Sequence, residues 1–385
     1  MREKKSERWL LIAIVLIACN LRAAITGVGS LVGMIQRDLS LSSTVSGLIT
    51  TIPLLAFAAV SPLASGLAQK RGLGKTLFAG FVVLAAGILV RSYLGTAGLF
   101  LGTVLVGGGI AIGNVLIPAL IKGRFPQRVG SLTSLYTTAM AVFSGVAAGV
   151  SVPLANQVGW RNTLAIWVVL AVLALIVWFP QRGVVLEHKA QQGQHKPLLK
   201  SGTAWWVSVY MGVQSLLFYS FVAWLPTILQ AKGLSAETAG YFFSVYQFIS
   251  IAGSCLSPLL AGRRRSQVGL VTGLFLLYVT GLLCIQLGSA PMVLLPGVAL
   301  CGFCSGACIS LAMTYIGLRT ENAADATRLS GMSQSIGYLI AAAGPFVTGW
   351  LYDMLGSWTV PLWTLIAVAC IMGFTGRKAG RDRVI

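Results

Sequence analysis

Arg22 stands in the middle of a long apolar run, with Asn20 beside it and Thr26 one helical turn further along the same face. A guanidinium presents a rigid planar fork of N–H donors that suits carboxylate-like or linear anions. Placing an arginine at the centre of a membrane helix costs on the order of 2.5–3.5 kcal/mol, so one that stays there needs a reason. Two reasons are open: it bonds backbone carbonyls across a helix interface, or it faces a water-filled cavity and meets a passing anion. The acidic residues bear on this choice. Glu3, Glu7, Glu187, Glu321, Asp325 and Asp382 fall in loops or tails, while Asp38, Glu237 and Asp353 stand at the ends of apolar runs. With no carboxylate inside any run, a small anion is the expected transient partner of Arg22. The same absence argues against proton coupling of the kind that needs an intramembrane Asp, Glu or His.

Further polar and aromatic groups punctuate other apolar runs: Asn114, Tyr136, Gln214, Tyr219, Trp224, Gln247, Gln334 and Tyr338. The amides donate to an anion or accept from a protonated compound, and the aromatics can shape and close a pocket. Each one, and Asn20 with them, either lines a substrate cavity or bonds a neighbouring helix. Arg91, near the end of the third run, reads as an interface anchor or a gate, and Arg71 and Lys75 lie in a short basic loop with a gating role in view. Enzyme chemistry finds no support. There is no nucleotide-binding loop, nucleophile–base pair or metal-binding helix motif, and His188 and His195 share one polar loop. Cys301, Cys304 and Cys308 share a helix face, but without His or carboxylate they read as small packing residues. No cofactor or metal is expected.

The elements that hold these residues follow from composition. Of 385 residues, 56% are hydrophobic and 10% charged, against roughly 25% charged in soluble domains. A 20-residue window finds twelve spans. The first six cover 9–35, 44–68, 76–94, 97–121, 130–154 and 162–179; the second six cover 203–229, 238–261, 267–287, 292–317, 329–351 and 358–375. The chain is therefore an all-α membrane protein with an N-terminal six-helix half (1–179), a central polar loop (180–202) and a C-terminal six-helix half (203–385). The net charge of +19 would suggest nucleic acid if it were spread over one surface. Instead, the basic residues fall in alternate loops and both tails. Only Arg37, Arg91, Arg161 and Lys232 lie on the other side, with Arg22 inside a span. Lys and Arg accumulate on the cytoplasmic side, so both termini are expected there, the partner is the lipid bilayer, and nucleic acid is excluded. The basic start and long apolar stretch of the first span lack a cleavage site before Arg22, so that span is expected to be retained.

The halves echo each other. Residues 41–47 (LSSTVSG) align with 234–240 (LSAETAG), Ser61-Pro62-Leu63 with Ser257-Pro258-Leu259, and Gly159-Trp160 with Ser357-Trp358. Internal repeats of this kind typify secondary transporters. The layout resembles the major facilitator superfamily. Residues 66–75 (GLAQKRGLGK) are similar to its signature loop between spans two and three, with Gln69 where an acidic residue normally stands. Within that superfamily, the sequence resembles the cyanate permease and 2-nitroimidazole transporter group. The resemblance rests on Asn20-Leu21-Arg22, Asn114 with Pro118, Gln214-Ser215, Trp224-Leu225-Pro226 and Gln334-Ser335 with Tyr338. It implies two pseudo-symmetric halves, an alternating-access cycle and a small, often anionic or nitroaromatic substrate, in a bacterial inner membrane. A monomer is compatible with this architecture. Export of neutral planar compounds is the alternative reading, and coupling could be by symport or antiport.

Overall fold

The computed structural model of the chain describes residues 2–29, 31–41, 43–183 and 198–385; the loop with His188 and His195 lies outside them. Every regular element among the described residues is helical, as a chain in lipid requires when it must satisfy its own backbone. In chain order these are α1 (Arg2–Gly29), α2 (Val32–Asp38), α3 (Ser43–Arg71), α4 (Leu73–Tyr93), α5 (Gly95–Arg124), α6 (Val129–Ala165) and α7 (Trp167–Trp178). There follow α8 (Gly202–Ala231), α9 (Ala236–Gly262), α10 (Val268–Leu287), α11 (Pro291–Leu318), α12 (Ala323–Leu355) and α13 (Thr359–Ala379). Ten described stretches are long and apolar enough to cross a membrane. One of them, Pro126–Gly183, carries both the fifth and the sixth pass, and α12 supplies the eleventh with a more polar composition. Twelve passes result, as the hydropathy pattern implies.

Three boundaries differ from the sequence reading. The first span is not continuous to residue 35, because α1 ends at Gly29 and the short α2 begins at Val32. The fifth and sixth spans meet at Gly159, whose φ of 81° and ψ of 156° turn the chain inside what is otherwise one helical stretch. That φ belongs to the region glycine occupies without strain. The eleventh span begins earlier, at Ala323, because Asn322 caps it: its Oδ1 accepts from the Asp325 N–H at 2.9 Å, and its amide donates to the Asp325 carboxylate at 2.8 Å. Arg328 therefore sits on a helix, 3.7 Å from Asp325, rather than in a loop.

The chain divides into two compact units: Met1–Phe125, Leu135–Gly193 and Asn322–Gly331 form the first, and Pro126–Ser134, Gln194–Glu321 and Met332–Ile385 the second. In the first unit, Val28, Leu31, Ile35, Leu99, Trp160 and Leu164 form part of a buried apolar cluster. Asp38 closes one end of that unit, accepting from Arg161 at 2.8 Å and from Trp160 Nε1 at 3.1 Å. The α4–α5 pair is held close at Gly102, where a Cβ would collide with the backbone of Arg91. In the second unit, α9 and α11 meet in the same manner at Gly306, where a Cβ would run into the Ser250 carbonyl. Phe221 stacks between Tyr246 and Tyr278, with ring centroids 5.7 and 6.4 Å away.

Candidate functional site

In the first unit, Arg22 on α1, Asn114 on α5 and Tyr136 on α6 come together. The Tyr136 hydroxyl donates to Asn114 Oδ1 at 3.2 Å, both side chains being buried, and the charge of Arg22 acts on Tyr136. The local sequence arranges this. Gly113 leaves room for the Leu21 side chain, so α1 and α5 approach next to Asn114 and Arg22. Thr26, one turn beyond Arg22, donates to the Arg22 carbonyl at 3.0 Å and reaches the Ser144 carbonyl of α6 at 3.3 Å. Arg22 itself is half-buried. The arrangement is a guanidinium, an amide and a phenol drawn from three helices; the phenol spends its proton on Asn114 Oδ1, so the guanidinium and the Asn114 amide N–H groups are the donors suited to a small anion.

Asn20 has a different part. Its amide nitrogen donates to the Leu16 carbonyl at 2.9 Å and to the Leu170 carbonyl of α7 at 3.0 Å, which braces α1 against α7. Arg91 is buried, with 1% of its surface exposed, and Nη1 donates to the Ala24 carbonyl of α1 at 2.8 Å. Its place near the end of a span suggests an arginine at the membrane interface, yet the side chain turns inward among helices. Arg71 and Lys75 are exposed around the α3–α4 turn, where Trp178 Nε1 donates to the Gly74 carbonyl at 2.9 Å.

The remaining candidates belong to the second unit. Gln214 on α8 is buried; its Nε2 donates to the Met211 carbonyl at 3.0 Å and to Ser215 Oγ at 2.7 Å. Its Oε1 has no donor among the described residues. Trp224 is tied to α12 through Nε1 and the Pro345 carbonyl at 2.8 Å, and its ring lies 5.5 Å from that of Trp358. Tyr219 meets Phe218 edge-on at 5.1 Å. Gln247 is half-buried on α9, and Gln334 and Tyr338 are buried on α12.

Two polar groupings have no clear sequence signal. Ser305 on α11 accepts from Tyr246 at 2.6 Å and shares a 2.9 Å hydrogen bond with Tyr278, so three helices meet at one hydroxyl. At the end of α11, Arg319, 2% exposed, donates through Nε to the Ala379 carbonyl at 2.8 Å and through Nη2 to Gln267 Oε1. A serine among apolar residues, or a basic residue at a helix end, reads as commonplace until the partner helices are in place. The seven cysteines are all free thiols. Cys19, Cys301, Cys304 and Cys308 are buried, Cys255 and Cys284 half-buried and Cys370 exposed, and no group of metal-binding residues forms among the described residues.

Comparison with known proteins decides the family: residues 10–342 match the Major Facilitator Superfamily. The chain belongs to that superfamily. This transporter is 47% identical to "Uncharacterized transporter YycB" of Bacillus subtilis (strain 168), covering 98% of this chain and 94% of the relative. It is 38% identical to the "2-nitroimidazole transporter" of Escherichia coli (strain K12), covering 98% and 96%. It is 28% identical to the "Cyanate transport protein CynX" of the same strain, covering 94% of each. Among solved structures, the proton:xylose symporter XylE superposes with a TM-score of 0.81 over 98% of each chain at 12% identity, which establishes the shared fold. The transporter is a multi-pass membrane protein and not an enzyme.

Proposed function

We propose that this transporter moves a small anion, cyanate-like or a related compound, across the bacterial inner membrane by alternating access. The observation that carries the reading is Arg22, half-buried in a membrane helix beside the Tyr136–Asn114 pair. A cation at membrane depth is costly, and an anion that contacts Arg22 adds a favourable interaction for as long as it is bound. Contact made by the loaded state and not by the empty one is what an alternating-access cycle requires. The name of the cyanate-transporting relative agrees with this chemistry. Asn114, Tyr136, Gln214, Gln247 and Gln334 would supply hydrogen bonds, and Tyr219, Trp224 and Tyr338 would shape the aromatic part. The halves 1–179 and 203–385 are the moving parts, joined by a cytoplasmic loop. Arg71, Lys75 and Arg91 act at the gates, and both termini face the cytoplasm, in line with the basic loops.

The test is flux of cyanate and other small anions into sealed proteoliposomes. Arg22→Ala is expected to lower it more than tenfold while the purified variant keeps its thermal midpoint. Wild-type flux in that variant removes the anion reading. The name of the 2-nitroimidazole relative supports a second reading, export of neutral planar compounds. In that case flux is indifferent to Arg22→Ala and falls when Trp224 or Tyr219 is replaced.

A further inference from the structure

Arg91 presents a feature that transport at Arg22 does not use. One edge of a guanidinium, formed by the Nε and Nη2 N–H groups, makes the parallel fork that grips anions bidentately. In Arg91 that fork has no acceptor among the described residues, while Nη1 alone is satisfied, by the Ala24 carbonyl. The side chain cannot swing out to water, because its backbone lies directly against Gly102 of α5 and its surface is almost wholly covered. No described carboxylate serves it: Asp38 already accepts from Arg161 and Trp160, and Asp325 is engaged with Asn322 and Arg328. Arg319 shows what this protein does with a buried arginine that is purely structural. There the same fork is filled by protein oxygens, Ala379 O on Nε and Gln267 Oε1 on Nη2.

We propose that the Nε–Nη2 fork of Arg91 holds a small monovalent anion inside the first unit, at a site distinct from that of Arg22. Distinctness follows from helical geometry. Ala24, whose carbonyl anchors Arg91, comes two residues after Arg22 and is rotated from it by about 200° around the α1 axis, so the Arg22 side chain leaves α1 on a different side from the one Arg91 meets. The fork is sealed from solvent, so an ion reaches it only by displacing packed side chains, which limits it to a few atoms, such as a halide or a formate-like oxyanion. The bound ion supplies the countercharge that this part of the chain lacks and holds α4 to α1.

The experiment uses the full-length protein in nanodiscs. Its thermal midpoint is measured in sodium chloride, sodium formate and sodium gluconate at equal ionic strength, for wild type, Arg91→Met and Arg22→Gln. Chloride or formate is expected to raise the wild-type midpoint by several degrees over gluconate, with the more effective salt naming the ion's chemistry. Arg22→Gln should keep a large part of that rise and Arg91→Met should clearly diminish it. Equal wild-type midpoints in all three salts overturn the proposal, as does a rise that Arg91→Met leaves undiminished or that Arg22→Gln abolishes. If Arg91→Met does not fold, crystals of the wild type grown in bromide decide: an anomalous peak within hydrogen-bond reach of Arg91 supports the site, and a map without one there refutes it.

Discussion

The interiors of the two units use polar groups in opposite ways. The first holds two guanidiniums, Arg22 half-buried beside Tyr136 and Arg91 fully covered with its fork open. The second, among its described residues, is built around hydroxyls such as the Tyr246–Ser305–Tyr278 group, and its buried arginine, Arg319, sits at a helix end with the fork closed by protein. Both units are helical bundles with glycine-mediated close contacts, so the difference does not come from the backbone. Similar helical frames can therefore carry their buried guanidiniums in different places and with different partners.

That contrast can be attacked from its structural side. The largest effect is expected from Arg319→Ala, which strips a charged donor from two carbonyl-type acceptors. Hydrogen bonds to charged groups contribute about 1.5–3 kcal/mol each, so the loss should be about 3–6 kcal/mol in detergent unfolding, with KM for the transported compound unchanged in protein that still folds. A change in KM would place Arg319 with the functional arginines and break the contrast. Gly306→Ala comes next, at about 1–3 kcal/mol for overpacking, since the Ser250 backbone has to move. The matched Gly102→Ala should cost a similar amount but also displace Arg91 and so lower the response of the thermal midpoint to chloride. If the two glycine variants behave alike in all salts, Gly102 is only a packing residue. The smallest effect belongs to Tyr278→Phe, about 0.6 kcal/mol by the standard of hydrogen bonds between membrane helices. Ser305 keeps its bond from Tyr246 there, so a larger loss would show the hydroxyl group acting as a unit.

Much of this was open to reading before any coordinates. Lipid requires long apolar runs, so the passes announce themselves, and a charge in the middle of such a run, as at Arg22, is conspicuous without knowledge of its neighbours. What escaped was set by partners distant in sequence. Arg91 looks like an interface residue because it lies near the end of α4; its depth depends on Gly102 and on Ala24, 67 residues upstream, and small residues look the same in sequence whether or not they shelter a guanidinium. Asn20 and Trp224 are open in the sequence to lining a cavity or bonding a neighbouring helix, and their N–H groups meet the Leu170 and Pro345 carbonyls. A residue type states what it can donate and not which helix will accept. The break between α1 and α2 was hidden for a related reason, since hydropathy runs on through the stretch where the helix does not.

The distribution of thiols has a practical consequence. Four of the seven cysteines are sealed inside helix contacts, and the exposed one, Cys370, lies on α13 next to the exposed Ile371 and near Phe374, on an apolar surface. A water-soluble maleimide therefore meets few native targets. Reporter cysteines added at the helix ends for distance measurements by spin or fluorescence labelling can be read in a nearly native background, leaving the contacts of α11 with α10 and α8, where Cys301, Cys304 and Cys308 lie, untouched by substitution.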